Sequence, residues 1–174
     1  ILTPQGWLKD GSVLISDGKI LEVTNSDLAV IGAKVVDAKG MYIIPGFVAM
    51  NVHGGGGHDF RECTEEAFRS AIAAHMKHGA TTLFPTLSSS PKESICNAAS
   101  ICEKLMAEKD GPVLGLHVEG PYLNAKMAGN LYDVKNPDKE EYVSILESTN
   151  CIKRWDASPE LPGAHDFARY LRSK

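Results

Sequence analysis

Cysteine, long apolar runs and surplus positive charge are all scarce in this sequence. Its four cysteines, Cys63, Cys96, Cys102 and Cys151, form no C-x-x-C pair and are too thinly spread over 174 residues for a disulfide scaffold. Reduced thiols in a cytoplasmic protein are the expectation. No run approaches the roughly 18 apolar residues of a membrane span. Lys and Arg number 18 against 22 Asp and Glu, a formal net charge of −4. The sequence pI is about 5.9. Binders of nucleic acid or anionic membranes usually carry a basic surplus, so neither partner is expected. A small anionic substrate stays open, because a few local cations can hold one phosphate.

What is present is ordinary globular composition, 43% hydrophobic and 23% charged. The length allows one domain and a small second unit. The first forty residues read as β. Ser12–Ser16 and Lys19–Val23 flank Asp17-Gly18, the dipeptide of a two-residue hairpin turn. Runs at Ala33–Asp37 and Met41–Ile44 follow, separated by Ala38-Lys39-Gly40. The reading is a small β subdomain over residues 1–44 and a second domain over 45–174.

The second domain alternates strand and helix. Strands are predicted at Phe47–His53, Ala80–Leu87, Val113–Glu119 and Ile152–Ala157. Helices are predicted at Thr64–His78, from Ser90 to Gly111, at Asp138–Ser148, and from Ser158 to the last residue. Ser90-Pro91-Lys92-Glu93 has the form of a capped helix start, and Ser158-Pro159-Glu160 repeats it. Four β-α units in series imply a parallel sheet. Their apolar strands, without a clean polar face, suit a sheet covered on one side by helices. Four units do not close a barrel, so the first and fourth strands need cover; the expectation is a natural chain that continues beyond Lys174.

Two stretches carry chemistry. In Asn51-Val52-His53, followed by four glycines, the period of two puts Asn51 and His53 on one face at the C-terminal end of the first parallel strand. That end is where parallel α/β folds place ligands, and imidazole there suits a divalent metal. The same residues also read as a hydrogen-bonded turn histidine with glycines serving geometry alone. In His117-Val118-Glu119-Gly120-Pro121, His117 and Glu119 share a face at another strand end. A buried strand-end carboxylate costs several kcal/mol unless paired or metal-bound. A structural Glu neutralised by a nearby Lys or Arg is the plainer alternative. His75, His78 and His165 read as structural or surface residues, and Phe68, Ile72 and Met76 as core.

The hairpin at Ser16–Ile20, then Val36–Gly40, then Ile44-Pro45-Gly46-Phe47, resembles the entry to the amidohydrolase superfamily, with Asn51-x-His53 where a His-x-His pair is usual. Gly115–Asn124 (GLHVEGPYLN) is similar to the segment that carries the glutamate metal ligand in N-acetylglucosamine-6-phosphate deacetylases. Gly79–Thr82 and Phe84–Thr86 fit the second strand of that family. The resemblance covers the whole chain in order. It implies a (β/α)8 TIM barrel, of which about the first four units are here, preceded by part of a small β-sandwich. It implies hydrolysis of N-acetylglucosamine 6-phosphate to glucosamine 6-phosphate and acetate, with a divalent metal (Zn, or Fe, Co or Mn), in a cytoplasmic homodimer. Glu119 is the implied metal ligand, with His53 and Asn51 at a second site. Two further histidines and the catalytic aspartate fall beyond residue 174, so no catalytic residue is expected within the chain. Ala128–Asp133 departs from the family's Gly-x-His-Asn pattern, which leaves Gly129, Asn130 and His117 as candidate substrate contacts. The alternative is a truncated amidohydrolase fold serving as a non-catalytic binding module. A dihydroorotase-like or aminoacylase-like enzyme would keep the His-x-His pair that Asn51 interrupts.

Overall fold

A computed structural model describes residues 1–174. The chain divides into two compact units, Ile1–Gly46 and Phe47–Lys174. No helix is long and apolar enough to cross a membrane.

The first unit holds two separate antiparallel ladders. β1 (Leu2–Thr3) pairs with β2 (Gly6–Trp7), and β3 (Ser12–Ser16) with β4 (Lys19–Thr24). Asp17 and Gly18 both have positive φ, 50° and 72°, as a type I′ hairpin turn demands. The expected strands at Ala33–Asp37 and Met41–Ile44 do not form. Their turn survives, with Lys39 and Gly40 at positive φ and the Asp37 carboxylate accepting the Lys39 N–H at 2.8 Å. No neighbouring strand completes a ladder, and Val35 and Val36 stay exposed. High β propensity without a partner strand does not make a sheet.

The second unit is α/β, with a four-stranded parallel sheet in the order β5 (Phe47–Val52), β8 (Ala80–Ser88), β9 (Leu116–Glu119), β10 (Ile152–Asp156). Chain order and spatial order coincide, as in a simple β-α series. After β5 comes a glycine hairpin of β6 (Gly54–Gly55) and β7 (His58–Asp59). The helices are α1 (Glu65–Lys77), α2 (Lys92–Met106), α3 (Lys139–Ser148) and α4 (Ala164–Arg172). Thr64 caps α1 by accepting the Ala67 N–H, and Asp138 caps α3 by accepting the Glu141 N–H.

Leu83, Leu87, Leu116 and Val118 pack into the core with Phe68, Ile95, Ala98, Cys102, Ile145 and Phe167 from the helices. By the period of two, Thr86, Ser88, His117, Glu119, Arg154 and Asp156 lie on the opposite, inner face. The sheet therefore has a polar face, which the sequence reading lacked.

Two capped starts are corrected. Ser90 is buried and donates its hydroxyl to Ser88 O at 2.6 Å; α2 begins at Lys92 with Pro91 at the cap and no side-chain cap bond. Ser158 and Glu160 do not open α4, which starts after Gly163. Ser158 Oγ accepts the Asn124 N–H at 2.9 Å and Glu160 Oε1 accepts Asn124 Nδ2–H at 2.7 Å. Ser90 spends its hydroxyl on the carbonyl two residues before it, and Ser158 spends its own on a tertiary partner, so neither serves as a cap. β9 starts at Leu116; Val113 makes only an isolated bridge to Leu83.

Leu87 has no exposed surface, whereas Met127 is 81% exposed. Leu87→Ala is expected to cost about 2–5 kcal/mol in urea denaturation, and Met127→Ala less than about 0.5 kcal/mol. Equal losses would contradict this assignment of the core.

Candidate functional site

Strand register builds the site. Ser88 pairs with Glu119, and Glu119 with Asp156, so three strand ends stand at one level. His53 follows the last residue of β5 and joins them. Its Nδ1 lies 2.8 Å from Ser88 Oγ, and its Nε2 faces Glu119 Oε2 at 3.5 Å. One step below on the same face, Thr86 pairs with His117 and His117 with Arg154.

The lower level is tightly bonded. Thr86 Oγ1 accepts the Val52 N–H at 2.9 Å and lies 3.0 Å from His117 Nδ1. Its single proton has two acceptors in reach, His117 Nδ1 and Phe84 O at 3.2 Å. His117 has no exposed surface, and burial pushes its imidazole below the usual range against the pull of Asp156. Its Nε2 lies 3.1 Å from Asp156 Oδ2 but off the line of a hydrogen bond, which leaves that buried nitrogen without a partner. Asp156 instead grips Arg154 with both oxygens, Nε and Nη2 each at 2.9 Å.

Glu119 is different. No Lys or Arg lies within 4 Å of its carboxylate, the one basic side chain that close is His53 with Nε2 at 3.5 Å, and no hydrogen bond fixes its oxygens. The turn behind it is clamped by β10: Gly120 N–H donates to Asp156 O at 3.2 Å, and Trp155 Nε1–H donates to Gly120 O at 2.8 Å. Gly120 sits at φ +87°, where an added Cβ would also crowd Leu123 at 3.1 Å. The carboxylate is thus aimed by the backbone and left open chemically.

The structure brings His53, His117 and Glu119 together. Asn51 lies two residues before His53 on the same strand and is exposed. Gly129 and Asn130 occupy an exposed turn closed by Leu131 N–H to Ala128 O at 3.0 Å, and neither hydrogen-bonds the row of strand ends. His75 Nε2 bonds Gly54 O at 2.9 Å and so fastens the glycine hairpin to α1. A Cβ on Gly54 would collide with His58 O, which makes that glycine a matter of close approach. His165 is exposed on α4.

Among curated proteins, the N-acetylglucosamine-6-phosphate deacetylase of Haemophilus influenzae is 32% identical over 132 residues, covering 74% of this chain and 34% of that protein. The chain belongs to the N-acetylglucosamine-6-phosphate deacetylase family. The human N-acetylglucosamine-6-phosphate deacetylase is 25% identical over 180 residues, 97% of this chain and 42% of its own length. An N-acetylgalactosamine-6-phosphate deacetylase of Escherichia coli O157:H7 is 24% identical over 182 residues, 100% of this chain and 46% of its own. The crystal structure of the Pasteurella multocida N-acetylglucosamine-6-phosphate deacetylase superposes with a TM-score of 0.86 at 21% identity, covering 95% of this chain and 44% of that one. No family model matches the chain. The chain thus spans between about a third and under a half of these relatives' lengths.

Deacetylases of this superfamily imply a metal, and the donors here fit part of one shell. In the tautomer whose Nδ1 carries the proton and donates to Ser88 Oγ, the His53 Nε2 lone pair faces the Glu119 carboxylate across a gap too wide for a hydrogen bond. These are one nitrogen and one oxygen donor, and nowhere do three or more His, Cys, Asp or Glu gather to hold an ion.

Thr86, Ser88, Arg154 and Asp156 were missed in the sequence. Their signal was available: Thr86-x-Ser88 and Arg154-x-Asp156 repeat at two further strand ends the polar-x-polar spacing of Asn51-x-His53 and His117-x-Glu119.

Thr86→Val keeps the shape but strips partners from the buried Val52 N–H and His117 Nδ1, at about 1–3 kcal/mol for each orphaned group. Thr86→Ser keeps the hydroxyl and loses one methyl, about 0.8 kcal/mol. Denaturant titration of both variants checks the ordering, and equal stability would remove Thr86 from the role described.

Proposed function

We propose that this chain forms the metal-binding first half of an enzyme that hydrolyses the acetamide of N-acetylglucosamine 6-phosphate, giving glucosamine 6-phosphate and acetate. In this reading the four β-α units belong to a (β/α)8 barrel, and residues 1–44, which precede it in sequence, to a small β-sandwich subdomain. The single observation that carries it is the Glu119 carboxylate at the C-terminal rim of the parallel sheet, facing His53 Nε2 at 3.5 Å with no Lys or Arg paired to it. An ionised carboxylate in that position is costly to leave unpaired, and a divalent ion relieves it. Family membership supports the chemistry, since the Haemophilus relative carries the deacetylase name over the stretch that includes most of this chain.

Glu119 is the proposed principal ligand, His53 a second-site ligand, and Asn51 a neutral neighbour on the same face. Zinc is the expected ion, with iron, cobalt or manganese as substitutes. Once bound, such an ion lowers the pKa of a coordinated water and polarises the amide carbonyl. The chain's own residues prepare that step. Ser88 holds the plane of the His53 ring through its Nδ1. The clamped Gly120 turn aims Glu119 at the rim. His117, neutral and buried, packs below Glu119 and bounds the floor of the site. Gly129 and Asn130 belong to the loop after Glu119, from which they are proposed to meet the sugar.

Two further ligand histidines and the proton-transferring aspartate are assigned to sequence outside these 174 residues, as are the phosphate contacts. The working form is proposed as a cytoplasmic homodimer acting on a small amino-sugar phosphate. The 174 residues alone are expected to release no acetate.

Acetate release by the whole natural protein, with and without chelator, tests the reading. Chelation and Glu119→Gln should each lower kcat/KM by at least about a hundredfold, equivalent to about 3 kcal/mol of transition-state stabilisation. Full activity in Glu119→Gln would remove that carboxylate from the mechanism.

A further inference from the structure

Arg154 poses a problem for Glu119. Both lie on the inner face, Arg154 level with His117 and Glu119 level with Asp156. They are diagonal neighbours on adjacent parallel strands, and arginine is long enough to reach along such a diagonal. Arg154 also reaches across the face, its Nη1 3.4 Å from Met50 O on β5. The guanidinium therefore spans from β10 towards β5, the strand that His53 follows. A guanidinium binds a carboxylate through the same in-plane lone pairs that a metal uses, and it is never deprotonated. Yet Glu119 is not its partner. Asp156, two residues on along the same strand, engages it bidentately at 2.9 Å through both Nε and Nη2.

We infer that Asp156 is a positioning residue whose carboxylate detains Arg154 and thereby keeps Glu119 free to bind a cation. The inference rests on the proposed role of Glu119 as a metal ligand. Asp156 touches no metal in this scheme; it acts through Arg154. The pair also explains why β10 carries opposite charges two residues apart at the rim, where a single arginine would quench the neighbouring ligand.

Zinc titration of the intact natural protein against a chromophoric chelator tests this, with Trp155 fluorescence reporting the fold. Asp156→Asn should weaken zinc binding by about tenfold to a hundredfold, the range seen when partners behind a ligand are removed. The double variant Arg154→Gln/Asp156→Asn should restore it to near the parent. Arg154→Gln alone should change it by less than about threefold, since Asp156 already neutralises the guanidinium. Parent-like binding in Asp156→Asn overturns the inference, and so does a double variant as weak as the single. A gain in Arg154→Gln as large as the loss in Asp156→Asn also overturns it, because simple charge would then suffice. If Asp156→Asn fails to fold, Asp156→Thr, which keeps a strand-forming residue, takes its place in both arms. Glu119→Gln separates the two levels: zinc binding unchanged there ends the ligand reading itself, whereas binding lost there but intact in Asp156→Asn ends only the role of Asp156.

Discussion

The hydroxyl of Thr86 is the interaction on which the site depends. It joins β5, through the Val52 N–H, to β9, through His117, from its own place on β8 between them. The break in register beside Pro85 makes this necessary. Proline has no N–H, and within a sheet it occurs at bulges or edges. β8 is an interior strand, and its register with β5 shifts between Ala49 and Val52, the latter level with Pro85. At that break the Val52 N–H finds a side chain instead of a backbone carbonyl. A buried amide without any partner would cost about 1–3 kcal/mol, so the residue after the proline has to carry an oxygen. Threonine meets this and suits a strand as well. The bulge also turns the end of β5, and His53 emerges immediately beyond it.

From that anchor the polar face is built in two levels with different duties. In the lower level Thr86 and His117 are buried and Arg154 is part-exposed, and most of its groups are matched to neighbours. The upper level, His53, Ser88, Glu119 and Asp156, is partly open. Side-chain exposure is 45% for His53 and 23% for Glu119, too wet for a structural ion pair of much strength. The plain alternative for Glu119, a structural carboxylate neutralised by Lys or Arg, has a candidate cation within the same strand pair. The guanidinium is committed to Asp156, which removes that explanation and leaves the carboxylate for a ligand.

Much of this was legible in the sequence. Parallel β-α order follows from the alternation of strand and helix signals. Glu119 and His53 are visible because the period of two fixes their face and the Gly-Pro or Gly-rich turn marks the strand end. The rest was hidden for identifiable reasons. Ser90 and Ser158 have the local form of helix caps, but a hydroxyl has competing partners, and here they are the local Ser88 O for Ser90 and the distant Asn124 N–H for Ser158. Ala33–Asp37 and Met41–Ile44 have strand composition, yet strand formation is a property of a pair. Asp156 and Arg154 share the polar-x-polar spacing of the other strand ends, but only register sets them beside Glu119 and His117.

The aim of Glu119 is finally a matter of packing at a distance. Trp155 stacks on Tyr122 with ring centroids 5.6 Å apart and planes 8° apart, and Phe167 meets both rings edge-on. This aromatic group is rigid and buried, and its one indole N–H is spent on Gly120 O. Tyr122 adds a second hold, its hydroxyl donating to Glu141 Oε1 at 2.9 Å. The Glu119 turn is therefore fastened to a core contributed by β10, α3 and α4. A carboxylate left without direct hydrogen bonds still needs a fixed direction, because ligand geometry tolerates little error. Here the backbone supplies that direction, so the side-chain oxygens remain unused.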